Sequence, residues 1–230
     1  MSLVKVVLPI LLLSLPACGP TEETAAARIH DDIAIASPDL VKVLLDNDHL
    51  TVTRFTIPPQ GELPLHKGQD RVVYSLSDYR VHYITPNGDP VLNDLKKGTA
   101  HWHSAGVHAV RNVAATTADY LTVARKAFNP TPGVTSDLVE QAPNQAKVVF
   151  ENESAKVIEV TLEPGERQRP HQAAARVVYS ITPAKLKYTD PSGTAETEHA
   201  AGEVHYHAGG EHRVQNVGSG QVRYVVFEVM

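Results

Sequence analysis

KGTAHWHSAGVHAVRNV, residues 97–113, returns further along the chain as AGEVHYHAGGEHRVQNV, residues 201–217. Each copy carries three histidines and closes on His-x-x-x-Asn-Val. Working outward, PLHKGQDRVVYSL from Pro64 matches RPHQAAARVVYSI from Arg169, and VKVLLDNDHLTVTRFTI from Val41 matches AKVVFENESAKVIEVTL from Ala146. His66 and His171 lie 105 residues apart, and His108 and His212 lie 104 apart. Three blocks in one order at nearly constant spacing are the mark of a duplicated domain.

Each half consists of short β-prone runs: LTVTRFTI, KVIEVTL, RVVYSL, RVVYSI, YLTVARKAF and VRYVVFEV. They alternate or are β-branched, as half-buried strands require. IPPQGELP, EPGER, TPNGDP and DPSG between them are turns, with proline presetting φ and Gly or Asn taking positive φ. Many short strands with little helical periodicity predict an all-β fold, a sandwich or barrel in each half. The two barrels are expected to pack through outer apolar faces, using the VVYS strands and the valine-rich last strand of each half. The chain divides into a segment 1–18, a tether 19–37, a first domain 38–128, a linker 129–145 and a second domain 146–230.

The 230 residues are 42% hydrophobic and 20% charged, enough to build a core and too apolar for long disorder. A net charge of −5 without a basic stripe excludes a nucleic-acid partner. At the N-terminus, Lys5 precedes an apolar run from Val6 to Leu15. That run reaches only about 15 Å as a helix, short of a bilayer core of about 30 Å, and its layout is that of a secretory signal. Leu15-Pro16-Ala17-Cys18 resembles a bacterial lipobox, which implies lipidation of Cys18 and a cell-envelope protein facing the periplasm. Cys18 is the only cysteine, so no internal disulfide is available and folding rests on packing. Without the anchor, the same signal implies a secreted or periplasmic protein.

The histidine blocks resemble the cupin superfamily, small jelly-roll barrels with a ligand or metal site in the mouth. Gly98, Gly106, His108 and Asn112 follow that family's second motif, as do Gly202, Gly209, His212 and Asn216. Pro59, Pro64 and His66, and Pro164, Gly165, Pro170 and His171, follow the first in part. The resemblance spans most of residues 38–230 and implies two tandem cupin barrels, a bicupin.

The family's metal site combines three histidines and a glutamate, and here the set is broken. Lys67-Gly68 and Gln172-Ala173 follow the first histidine where x-His is usual, and Arg71 and Arg176 stand at the glutamate position. An arginine offers only donors and keeps its charge. Two positive charges against one, at about 5 Å and an effective dielectric near 20, repel by roughly 6 to 7 kcal/mol. His66, Arg71 and His108 in one mouth, and His171, Arg176 and His212 in the other, therefore point to a small anion, a carboxylate or phosphate held by the guanidinium.

A metal reading stays open. His101 and His103, like His205 and His207, share one strand face at about 6.6 Å. Facing inward, His66, His101, His103 and His108 would surround a divalent ion (Zn, Mn, Fe or Ni), as would His171, His205, His207 and His212. Facing outward, they would leave Trp102 and Tyr206 in the core. The residues leave three functions open: a lipid-anchored binding module for an anionic metabolite or sugar derivative, a cupin enzyme, or an envelope scaffold. The enzyme is either a metal-dependent oxygenase or decarboxylase, or a metal-free isomerase or epimerase with His108 or His212 as proton carrier. A second copy of the chain is a further candidate partner.

Overall fold

The computed structural model describes residues 28–126 and 136–229. The signal-like segment, Cys18, and the parts of tether and linker at 19–27 and 129–135 lie outside the described residues. The described chain is all-β apart from two single-turn helices, α1 (Ile33–Ala36) and α2 (Leu138–Gln141).

The first barrel comprises β1 (Val41–Asp46), β2 (Leu50–Ile57), β3 (Glu62–Gly68), β4 (Arg71–Ser75), β5 (Tyr79–Ile84), β6 (Val91–Leu95), β7 (Ala100–His103), β8 (Gly106–Asn112) and β9 (Ala118–Arg125). A five-stranded sheet in the order β1-β2-β9-β4-β7 faces a four-stranded sheet β3-β8-β5-β6. The second barrel repeats this with β10 (Ala146–Glu151), β11 (Ala155–Leu162), β12 (His171–Ala173), β13 (Arg176–Ser180), β14 (Ala184–Asp190), β15 (Gly193–His199), β16 (Val204–His207), β17 (Gly210–Asn216) and β18 (Val222–Val229). Its sheets run β10-β11-β18-β13-β16 and β12-β17-β14-β15, so the duplication read in the sequence extends to every strand. All pairings between these strands are antiparallel, the jelly-roll solution for short strands.

The five-stranded sheets are buried on both faces. Inward, Phe55, Ile57, Val73 and Tyr120, with Tyr79 of the opposite sheet, build the core of the first barrel, and Ile158, Leu162, Tyr224 and Val226 that of the second. Outward, Leu50, Val52, Val72, Tyr74, Leu121 and Val123 meet Val157, Val177, Tyr179, Val225 and Phe227 in a third core between the barrels. The VVYS strands and the last strands make that contact, as the sequence predicts. Polar ties frame it: Tyr74 Oη donates to Glu159 Oε1 at 2.5 Å, and His49 stacks on Tyr206 at 4.9 Å.

A short strap precedes each barrel. His30 N–H donates to Leu65 O at 2.8 Å and Lys67 N–H to His30 O at 2.9 Å, drawing α1 against β3. In the second barrel, Asp137 exchanges bonds with Gln172 and Leu138 enters the core. These straps occupy the ends of the stretches read from the sequence as tether and linker.

The asparagines that close the two motifs are ties for loops. Asn112 Nδ2 donates to Ile57 O and Thr116 O, both at 2.8 Å, while Oδ1 accepts from Ala114 N–H. Asn216 repeats the pattern with Leu162 O, Gly220 O and Gly218 N–H. Both are fully buried, so each bond satisfies a group that water does not reach.

Candidate functional site

In each barrel, β3 and β8 (or β12 and β17), which are partners, bring the two motif histidines side by side. His66 pairs with His108 and His171 with His212 in the strand register. Their rings lie 4.3 and 4.2 Å apart, and all four are buried. His66 Nδ1 donates to Pro64 O at 2.9 Å, and His171 Nδ1 to Arg169 O at 3.0 Å. Pro64 sits in a register shift of β3, where its missing N–H costs no ladder bond.

Arg71 and Arg176 point into the cups. Arg71 Nη2 donates to His108 Nε2 at 3.1 Å and Nη1 donates to Gln69 O at 2.7 Å. Arg176 Nη2 donates to His212 Nε2 at 2.9 Å, while Nη1 reaches Ala208 O and Ala174 O at 3.2 and 3.3 Å. Room for this comes from the residue that replaces the family's second histidine. A Cβ at Gly68 would meet Arg71 Nη1 at 2.5 Å and His108 Cε1 at 2.7 Å. The second barrel has the small, buried Ala173 at that place. Losing the histidine and gaining the arginine are thus one coupled replacement, and the small residue was the sequence signal for it.

These bonds fix protonation. A nitrogen that accepts from a guanidinium carries a lone pair, so His108 and His212 are neutral imidazoles. Burial, then His66 and Arg71, push His108 down to about 3; burial, then Arg176 and His171, push His212 down to about 3. Neither nitrogen is free to carry a proton at neutral pH, which disfavours the role of proton carrier raised by the sequence. The proton of neutral His108 therefore sits on Nδ1; the acceptor in the first cup is Nε2 of His66, whose Nδ1 donates to Pro64 O, and the permanent donor is Arg71.

His101/His103 and His205/His207 face inward and line the cups, while Trp102, Val204 and Tyr206 pack on the core between the barrels. Tyr83 stacks on His108 at 4.4 Å and Tyr188 on His212 at 5.0 Å. The four imidazoles of either cup do not gather into a ligand set. Among the described residues, the three whose ligand atoms lie within 4.8 Å of one another are His199, Glu203 and His205. His205 alone belongs to the histidines singled out from the sequence; the sequence reading missed His199 and Glu203.

The sequence reading also missed Glu228. It faces Arg176 across β18 and β13, is buried, and has one carboxyl oxygen without a partner. Burial raises its pKa, against smaller opposing effects of Ser136, Lys156 and Arg176. A lone glutamate at an inward position of the apolar VRYVVFEV was the available signal. The first cup opens into a cavity of about 1150 Å³, whose lining includes Tyr120 and Thr122. The second encloses about 280 Å³.

Solved structures share this architecture. AerE from Microcystis aeruginosa is similar over 83% of this chain and 97% of its own, with a TM-score of 0.59 and 13% identity. A variant of oxalate decarboxylase from Bacillus subtilis is similar over 82% of this chain and 76% of its own, with a TM-score of 0.58 and 15% identity. The fold is a bicupin. A single cupin domain from Bordetella pertussis is 26% identical over 37% of this bicupin and 91% of its own length, with a TM-score of 0.36. No protein-family model matches the sequence, and no curated protein does. No described helix of the bicupin is long and apolar enough to cross a membrane.

Proposed function

We propose that this bicupin binds a small hydroxylated anion, a sugar acid or hydroxy acid, in its first cup, with Arg71 holding the carboxylate. One observation carries the reading: Arg71 makes no ion pair among the described residues, and two of its five N–H groups are engaged. A partly buried guanidinium with donors left over is a bidentate partner for a carboxylate. His66 and His103, whose Nδ1 atoms donate to carbonyl oxygens, present Nε2 acceptors beside it, so the best ligand brings hydroxyl donors beside its charge. The second cup is less suited, because Arg176 is tied to two carbonyls and faces Glu228.

Calorimetry with glucuronate, oxalate and phosphate tests this. Oxalate is included because one structural neighbour is an oxalate decarboxylase. Saturable binding of one glucuronate per chain is expected, lost in Arg71→Ala and kept in Arg176→Ala. Binding that survives Arg71→Ala and disappears in Arg176→Ala would place the ligand in the other cup.

Glu228 favours one alternative, proton-transfer chemistry in the second cup. A buried carboxyl with a raised pKa, beside an arginine in an enclosed cavity, is the environment of a general acid. Turnover of a hydroxy acid that is abolished by Glu228→Gln would favour this enzyme over the binding module. The signal-like N-terminus and Cys18 support export and lipid anchoring in a bacterial envelope. Membrane fractionation of the full chain and of Cys18→Ser tests that part separately.

A further inference from the structure

We infer that the rim of the second cup is a site for a divalent transition ion such as zinc, held by His199, Glu203 and His205. The three residues come from the end of β15, the turn after it and the start of β16, where Gly202 turns the chain at φ +86. Glu203 Oε1 lies 3.5 Å from His199 Nδ1 and 3.8 Å from His205 Nδ1. Ligands at about 2.0–2.2 Å in a tetrahedron stand about 3.3–3.6 Å from one another, and the three ligand atoms here all lie within 4.8 Å of one another, so side-chain adjustments of an ångström or so bring them to an ion. Two imidazoles and one carboxylate, leaving a fourth position open, suit zinc and its neighbours in the first transition row.

The surroundings hold the ligands in place. His199 Nε2 lies 2.9 Å from Thr197 Oγ1; donation to that hydroxyl leaves the Nδ1 lone pair toward Glu203. Ala200 N–H donates to Glu203 Oε2 at 2.8 Å, which leaves Oε1 facing the two rings. The repulsion that opposes a cation deeper in the cup is weaker here. Arg176 pairs with His207 in the strand register and donates to His212 Nε2 at 2.9 Å, whereas His205 lies two residues away along β16. Half-exposed Glu203 gives an ion a route from solvent. In the first barrel the equivalent residues are Leu95, Thr99 and His101, so that rim has no such set. The site also differs from the anion cup around Arg71, and either stands without the other.

The test is zinc titration of the full chain carrying no affinity tag, by calorimetry and elemental analysis after dialysis. One ion per chain is expected. Affinity should fall at least about tenfold in His199→Ala and in the near-isosteric Glu203→Gln, and hold in His207→Ala, which removes an imidazole outside the triplet. Circular dichroism checks that each variant is folded, and zinc should raise the melting temperature of the wild type but not of Glu203→Gln. A chain that retains no zinc, or one whose binding survives both triplet substitutions and is lost in His207→Ala, overturns the assignment. In either case the triplet is only a hydrogen-bonded ion-pair cluster.

Discussion

Glu228 stands directly opposite Arg176 on neighbouring strands, whereas the residue opposite Arg71 in the first barrel is Ala124. Two cups built from one repeat therefore differ at one inward position. The second carries a carboxyl group on the strand next to its arginine; the first leaves that place to a methyl group. Duplication made the sites alike, and one inward position on the last strand separates them.

Placing a carboxylate in the first cup should supply Arg71 with an internal partner. In Ala124→Glu, affinity for glucuronate is expected to drop roughly ten- to a hundredfold, the worth of about 1.5–3 kcal/mol for a hydrogen bond to a charged group. Ala124→Gln, similar in size and uncharged, should retain more of the binding. Equal loss in both variants, read by calorimetry, would attribute the effect to crowding and not to charge.

Gly68→Ala should disturb the same anchor by sterics alone. Its Cβ overlaps the Arg71 guanidinium and the His108 ring, so one of them must move. The expected result is weaker glucuronate binding with a melting temperature lowered by about 4 °C or less, about 1 kcal/mol for a chain of this size. Unchanged affinity would mean that the Arg71–His108 contact has no part in the site.

Acid should destabilise the fold through its neutral histidines. The ordinary histidine pKa of about 6.5 is pushed down to about 3 in His108 and His212, by burial first and then by neighbouring positive groups. His101 and His207 are lowered to about 4, again mainly by burial. Between these values and 6.5 the unfolded chain binds more protons than the folded one. The stabilisation is thus complete above pH 6.5 and disappears as pH falls toward 3. The slope is at most about 1.4 kcal/mol per pH unit for each histidine. Urea melts from pH 7 to 4 should show it, with a shallower slope in the His108→Gln, His212→Gln double variant. A flat profile would contradict the bonding seen at both Nε2 atoms.

The core between the barrels should make the two halves unfold as one. Phe227 is fully buried there and meets Tyr74 of the other barrel edge-on at 5.9 Å. Phe227→Ala is expected to cost about 3–5 kcal/mol. It should also split a single unfolding transition into two in calorimetry. One unchanged transition would mean that the barrels are coupled by some other contact.

Much of the candidate site was legible in the residues alone. His66, Arg71 and His108 meet in one cup, and His171, Arg176 and His212 in the other, because the motif positions fix which strands pair. Less legible were the direction of the bonds and the contributors outside the motifs. His108 and His212 accept from the arginines, because a guanidinium has only donors. His199 and Glu203 align with Leu95 and Thr99 of the first half, residues of unlike chemistry, so comparing the halves could not expose them.

By itself the sequence determined the duplication, the β class and the polarity of the two motif sites, since these rest on repeats, alternation and residue chemistry that are local to the chain. Only the tertiary structure decided which side of each strand looks into a cup. Alternation marks two faces but not their direction, and here both are buried, one in the barrel and one against its twin. For that reason Trp102 and Tyr206 fill a core while His101, His103, His205 and His207 still face inward, and Glu228 stands opposite Arg176 across a pairing of strands distant in sequence.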